Sequence, residues 1–328
     1  MINFEYTRSS TVRSAIESLA KNPTGSFIAG GTNLVDLMKR GVTAPTRLID
    51  INALPLKQIG DSTAGLHIGA LVTNSDLADH ESAKTNYPLL SQALNAGASA
   101  QLRNMATVGG NMMQRTRCTY FYDTVMPCNK RQPGSGCGAL KGYNRMHAIF
   151  GASDKCIAVH PSDMCVALAA LDAVINVSGP QRDRQIPFTE FHRLPGETPE
   201  KDNTLQKGEL IIGITIPPNN FKDHSHYLKI RDRASYAFAL VSVACALDIS
   251  GNTIRSARLA MGGVAHKPWR LTEAENFLKG KTVAIDTFRQ ASQVAMKGAR
   301  SYGENNFKLK LAPAAIVQAL TTASGLTV

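Results

Sequence analysis

"SFIAGGTNLVDLMKRG", residues 26–41, sets the reading of the fold. A short run from Ser26 to Ala29 ends in the pair Gly30-Gly31, and the period then changes. From Thr32 onward, Leu34, Leu37 and Met38 share one helical face, and Gly41 is a stop signal. The stretch therefore reads as a strand, a glycine turn and a helix. "TRLIDI", residues 46–51, follows as another strand. Before it, Thr11 to Lys21 carries Ala15, Ile16, Leu19 and Ala20 as a helical stripe, with serine and threonine at its start. This βαβ-like unit predicts an α/β subdomain spanning residues 1–60.

Glycine lets the backbone turn sharply and bring its N–H groups close to a ligand, which suits a diphosphate at a helix start. Gly109-Gly110, in "ATVGGN", is a second loop of the same kind. Two such loops from neighbouring subdomains could grip one diphosphate from opposite sides, although many only turn the chain. Neither matches the dinucleotide fingerprint or a Walker loop. Gly134-Ser135-Gly136 fits the start of a G-x-G pattern, but no strand leads into it.

Further along, "LHIGALVT" reads as a strand and Tyr87 to Gly97 as an apolar helix. "PSDMCVALAALDAVINVSG" gives a helix opened by Ser162 and Asp163, then a strand. "GELIIGITIPP" is a strand closed by Pro217 and Pro218. Residues 61–220 thus form a second subdomain, with an irregular insertion at about 112–160. Beyond it, "HYLKIRDR", "FALVSVACALDI" and "TIRSARLAMGGV" predict three strands, the last two joined at Ser250-Gly251-Asn252. Helical patterns at 270–279, 284–300 and 312–323 complete an α+β domain over 221–328.

The 328 residues, 43% hydrophobic and 19% charged, are those of a globular protein with real cores. No apolar run is long enough to span a membrane. The start lacks the pattern of a signal peptide, so a cytoplasmic site is expected, or a periplasmic one by export with a partner carrying the signal. The net charge of +11 favours anionic partners. Its basic residues are scattered and no nucleic-acid module is present, so nucleic acid is not expected as a partner.

Of six cysteines, Cys165 and Cys245 fall on apolar patterns and read as small buried hydrophobes. Cys118, Cys128, Cys137 and Cys156 lie in the insertion, separated by nine, eight and eighteen residues. Four thiolates suit an iron–sulfur cluster or a structural zinc, and the spacing alone leaves cluster, zinc and free thiols open. The surroundings lean toward a cluster. Arg115, Arg117, Lys130, Arg131 and Lys141 would balance its negative charge, and Gly134, Gly136, Gly138 and Gly142 could bring N–H donors to its sulfurs.

"FIAGGTNL", "QLRNMATVGGNM", "HPSDMCVALAALDA", "GELIIGITIP" and "YLKIRDRASYAFALVSVACAL", in this order, resemble the FAD-binding subunits of the xanthine dehydrogenase family of molybdenum hydroxylases. That resemblance implies an α+β architecture: a vanillyl-alcohol-oxidase-like FAD fold of two α/β subdomains, then a C-terminal domain with a three-stranded antiparallel sheet and helices. It places Phe27, Ile28, Ala29, Gly30, Gly31, Thr32, Asn33 and Leu34, with Thr107, Gly109, Gly110 and Asn111, around the FAD diphosphate. Asp163 would accept from FAD hydroxyls, Ile212 would lie near the adenine, and Lys229 would reach the flavin side. Their plainer roles are helix cap, core and edge charge.

No His or Cys stands in a pattern for a covalent flavin link, so noncovalent FAD is expected. "RCTYFYD", "PCNKR", "GCGAL" and "NRMHAIFG" resemble the insertion of periplasmic-type aldehyde oxidoreductase flavin subunits, where the four cysteines would hold a [4Fe–4S] cluster. The implied function is electron transfer from iron–sulfur centres through FAD to an external acceptor. The implied partners are a molybdenum-cofactor subunit and a [2Fe–2S] subunit. The rival readings are a nucleotide-binding module with a zinc-held loop and a free-standing FAD oxidase.

Overall fold

A computed structural model describes residues 1–327 and divides them among three sheets. In the first, Ser26–Ile28 runs parallel to Arg47–Asp50, with helix Leu34–Lys39 as the crossover between them. Parallel neighbours need such a crossover, which is why the opening stretch carries a helix between two short strands. Glu5–Arg8, not apparent from its exposed residues, pairs on the other edge of Arg47–Asp50. Helix Val12–Lys21 is capped at Thr11 by a reciprocal pair of bonds with Ser14 and buries Ala15 and Ile16.

The second sheet has five antiparallel strands in the order Ile59–Ser62, Gly65–Gly69, Leu210–Ile216, Val174–Ser178, Arg184–Pro187. Helices Pro88–Ala96 and Asp163–Ala170 belong to its core. All eight residues of Asp163–Ala170 are buried. A helix that is apolar all round must be covered on every side, and this one lies between the second sheet and the third. Cys165 is wholly buried in it, as the pattern predicted.

The third sheet is antiparallel and has four strands, Trp269–Arg270, Thr253–Gly262, Val241–Ser250 and Ser225–Ile230. The two-residue edge strand is one more than the sequence pattern shows, being too short to carry a period. Val241, Val243, Cys245 and Leu247 face the C-terminal core, while Ala244 and Ala246 face the core of the FAD domain. This alternation explains why "VSVACAL" reads as an unbroken apolar run: both faces of the strand are covered. Helices Thr272–Leu278, Ile285–Ala295 and Lys308–Ser324 close the outer face. The last begins before the predicted start and contains Pro313.

The insertion has little regular structure. It holds one helical turn, Thr119–Tyr122, a 3-10 turn, Gly138–Leu140, and an isolated antiparallel bridge between Cys128 and Cys137. Phe121 and Cys128 bury against Leu37, so the insertion is seated on the helix that follows the first glycine loop.

Candidate cofactor site

Gly31 adopts a left-handed φ of +70°, which a side chain would strain. Gly30 has a different reason to be glycine: a Cβ there would lie 1.7 Å from the Met105 carbonyl oxygen. Met105 leads into the second glycine loop, so the two loops touch through backbone. Thr107 turns that loop, its hydroxyl accepting from the Gly110 N–H at 3.2 Å.

Between the loops lies a cleft of about 490 Å³, a volume suited to a small-molecule site. Phe27 through Leu34, Thr107, Gly109 and Gly110 line it, with Lys207 and Ile211 on the opposite wall. Asn33 accepts from the Arg115 N–H at 2.9 Å, and its own Nδ2 is buried without a partner. An unpaired buried donor at the cleft wall fits an oxygen-rich ligand.

Asp163 and Lys229 are brought together rather than left as separate contacts. Lys229 Nζ donates to Asp163 Oδ2 at 2.7 Å and to the Ala96 carbonyl at 3.0 Å. Tyr227 donates its hydroxyl to Asp163 Oδ1 at 2.8 Å. Burial and the Asp163 carboxylate push the Tyr227 phenol well above its ordinary value, so it stays a donor. Ser162, the predicted cap, accepts from the Cys165 N–H at 3.0 Å and donates to Asn111 Oδ1. The cleft is lined by Ile211, not by Ile212, whose carbonyl accepts from the Ala70 N–H at 3.1 Å.

A smaller cavity, about 160 Å³, lies beside Asp163 and is lined by Cys118, Tyr143, His147, His160 and Phe238 among others. It joins the insertion to the C-terminal domain.

The four cysteines form one group. Cys118 is close enough to Cys128 and Cys137 to feel their charge, and Cys137 faces Cys156. Backbone N–H groups lie near three of the sulfurs and favour their thiolates: those of Phe121 and Tyr120 near Cys118, those of Ala139, Leu140 and Ile157 near Cys137, and that of Ala158 near Cys156, with the Phe121 and Leu140 groups also donating to the carbonyls of Cys118 and Cys137. Such donors stabilise thiolate over thiol. Cys156 and these N–H groups pull Cys137 down to about 6, while burial pushes Cys118 up to about 12.

Three of the four glycines have their N–H groups committed elsewhere. The N–H groups of Gly138, Gly142 and Gly136 go to Pro127, Gly138 and Asn129 respectively. Gly138 and Gly142 instead make room for the Tyr120 side chain, whose ring a Cβ at Gly138 would meet at 2.6 Å and whose hydroxyl a Cβ at Gly142 would meet at 2.1 Å. Gly134 and Gly136 turn the chain with φ of +85° and +98°.

Among the described residues, the one group of three ligating side chains within 4.8 Å of one another is His160, Cys165 and His192. No three of the four insertion sulfurs are that close.

The basic residues of the insertion are largely committed. Lys130 is buried, and it and Arg115 share Asp202 at 2.5 and 2.6 Å. Burial would raise the Asp202 carboxyl, but these two cations carry it below the ordinary range. Arg131 holds the carbonyls of Tyr120 and Phe121 at 2.8 and 2.9 Å, bracing the turn after Cys118. Asp202 had no motif to announce it, and Tyr227 and Ile211 lie inside the quoted motifs without being singled out by them.

Residues 2–219 match the family described as the FAD binding domain in molybdopterin dehydrogenase, and residues 226–323 match the C-terminal domain of the CO dehydrogenase flavoprotein. The chain belongs to the FAD-binding subunits of the molybdenum hydroxylases. This subunit is 50% identical to the aldehyde oxidoreductase FAD-binding subunit PaoB of Escherichia coli (strain K12), over 98% of each chain. It is 30% identical to the glyceraldehyde dehydrogenase medium chain of Sulfolobus acidocaldarius, over 89% of this chain and 87% of the other. Its fold matches carbon monoxide dehydrogenase from Hydrogenophaga pseudoflava with a TM-score of 0.78 at 24% identity, covering 99% of both chains. As a member it is an oxidoreductase subunit with an FAD-binding domain, and neither rival reading is favoured. No helix among the described residues is long and apolar enough to cross a membrane.

Proposed function

We propose that this subunit carries both FAD and a [4Fe–4S] cluster in an aldehyde-oxidising molybdenum hydroxylase. It would assemble with a molybdenum-cofactor subunit and a [2Fe–2S] subunit and deliver electrons to an external acceptor. The observation that carries the reading is the convergence of four cysteines, with backbone N–H groups near three of their sulfurs, next to the glycine cleft. The 50% identity to an aldehyde oxidoreductase subunit supports aldehyde as the substrate class.

Flavin takes electrons singly from iron–sulfur centres and releases them in pairs, and the chemistry is the cofactor's. The chain's part is position and charge. Both glycine loops line the cleft and bring backbone close to where the diphosphate would lie, and Asn33 adds its free Nδ2. Asp163, held by Tyr227 and Lys229, offers a fixed carboxylate beside the smaller cavity. Cys118, Cys128, Cys137 and Cys156 would hold the cluster; the Cys137 contact and burial push the Cys156 thiol up, and the Lys130 charge opposes that in part.

The test is anaerobic purification of the complex, followed by absorbance, metal content and low-temperature EPR. Flavin bands with about four irons beyond those of the partner centres are expected. Stoichiometric zinc without that iron would overturn the cluster.

A further inference from the structure

Two histidines, each from a different domain, reach the cysteine group. His147 Nε2 lies 3.1 Å from Cys118 Sγ, and His266 Nε2 lies 3.2 Å from Cys156 Sγ. Both rings are buried, and in both the other nitrogen, Nδ1, is buried without a partner. A neutral imidazole has one N–H and one lone pair. A thiolate bound to iron has no hydrogen to give, so a lone pair on Nε2 would repel it, while an N–H there makes a charge-assisted bond.

Their placement is built in. Lys308, fully buried near the start of the last helix, donates to the His147 carbonyl at 3.0 Å and to the Gly263 carbonyl at 2.7 Å. Asn305, also fully buried, donates to the carbonyls of His147 and Ala148 at 3.3 and 2.9 Å. One ammonium thus ties the segment carrying His147 to the segment leading to His266. No carboxylate pairs with Lys308 among the described residues. Burial, together with the Arg145 charge, lowers its pKa to about 7.

We propose that His147 and His266 are positioning residues for the cluster, donating Nε2–H to the sulfurs of Cys118 and Cys156 and raising its reduction potential. Negative charge on the sulfurs grows on reduction, so donors there favour the reduced state. The inference rests on the cluster reading above, and the experiment separates the two.

The complex is purified anaerobically, its iron counted, and the cluster titrated potentiometrically with EPR detection. Wild-type complex without the extra iron or its signal would overturn the cluster and this proposal with it. With the cluster present, His147→Phe and His266→Phe should each shift its reduction about tenfold toward the oxidised form, ~59 mV for one electron. His147→Gln and His266→Gln, which keep an N–H, should stay closer to wild type. Unmoved potentials in the Phe variants, or equal shifts in Phe and Gln variants, would overturn the donor role and leave the cluster standing. A readout without mutation covers variants that lose the cluster: wild-type complex labelled with 15N only at histidine should show weak nitrogen coupling to the reduced cluster. Absence of that coupling would also overturn the proposal.

Discussion

The glycine cleft offers backbone, whereas the cysteine insertion offers side chains, and the two fail differently when changed. At the cleft, recognition depends on what is missing: a Cβ at Gly30 would sit 1.7 Å from the Met105 carbonyl oxygen. At the insertion, the proposed cluster site would depend on four thiols and on polar groups gathered from three parts of the chain. A backbone site tolerates almost any neighbour that leaves room. A side-chain site needs each named group.

The largest expected effect is therefore at the cleft. Gly30→Val should separate the two glycine loops, and the purified complex should lose nearly all of its FAD, read as the flavin-to-protein ratio. Full flavin content in that variant would break the comparison. Next comes Cys128→Ser, which should lose about four irons per subunit while keeping FAD. Cys245→Ser should keep both, because Cys245 is wholly buried in the C-terminal core and away from the group. Equal iron loss in both would mean that the wrong four were chosen.

Much of this was legible in the sequence, because strand–Gly-Gly–helix and Ser-Asp before an apolar helix are local patterns. The cysteines were legible by residue type. Their surroundings were not. His266 follows a strand in another domain, Asp202 lies in a loop more than forty residues past Cys156, and Lys308 sits at the base of the last helix. Single polar residues leave no period, so only the folded chain brings them together. The insertion glycines misled for a related reason: glycine marks space as well as free N–H groups, and Gly138 and Gly142 serve the Tyr120 side chain. The resemblance pointed to Ile212, and Ile211, its neighbour on the same strand, is the one that lines the cleft.

Two further substitutions probe the charged groups on either side of the comparison. Asp163→Asn should leave the Lys229 ammonium buried without its partner, lowering stability by about 3–5 kcal/mol, measured by denaturant unfolding. Asp202→Asn should have a smaller effect at neutral pH, about 1–3 kcal/mol. It should also change the pH profile. Because Lys130 and Arg115 depress the Asp202 carboxyl in the folded chain, its stabilisation is present above the unfolded value of ~3.9 and is lost as pH falls through the folded one. The variant should lack that part of the loss below about pH 4. The smallest effect belongs to Arg13→Ala on the first helix, where the pair with Glu17 is mostly exposed. A change within about 0.5 kcal/mol is expected.

The central claim is that one chain holds a flavin and an iron–sulfur cluster side by side. Anomalous diffraction at the iron edge, from crystals of the anaerobic complex, tests it most directly. The account predicts strong density among Cys118, Cys128, Cys137 and Cys156, next to the Asn33 and Arg115 wall of the FAD cleft. A peak at the zinc edge alone, or iron density only in the partner subunits, would contradict it.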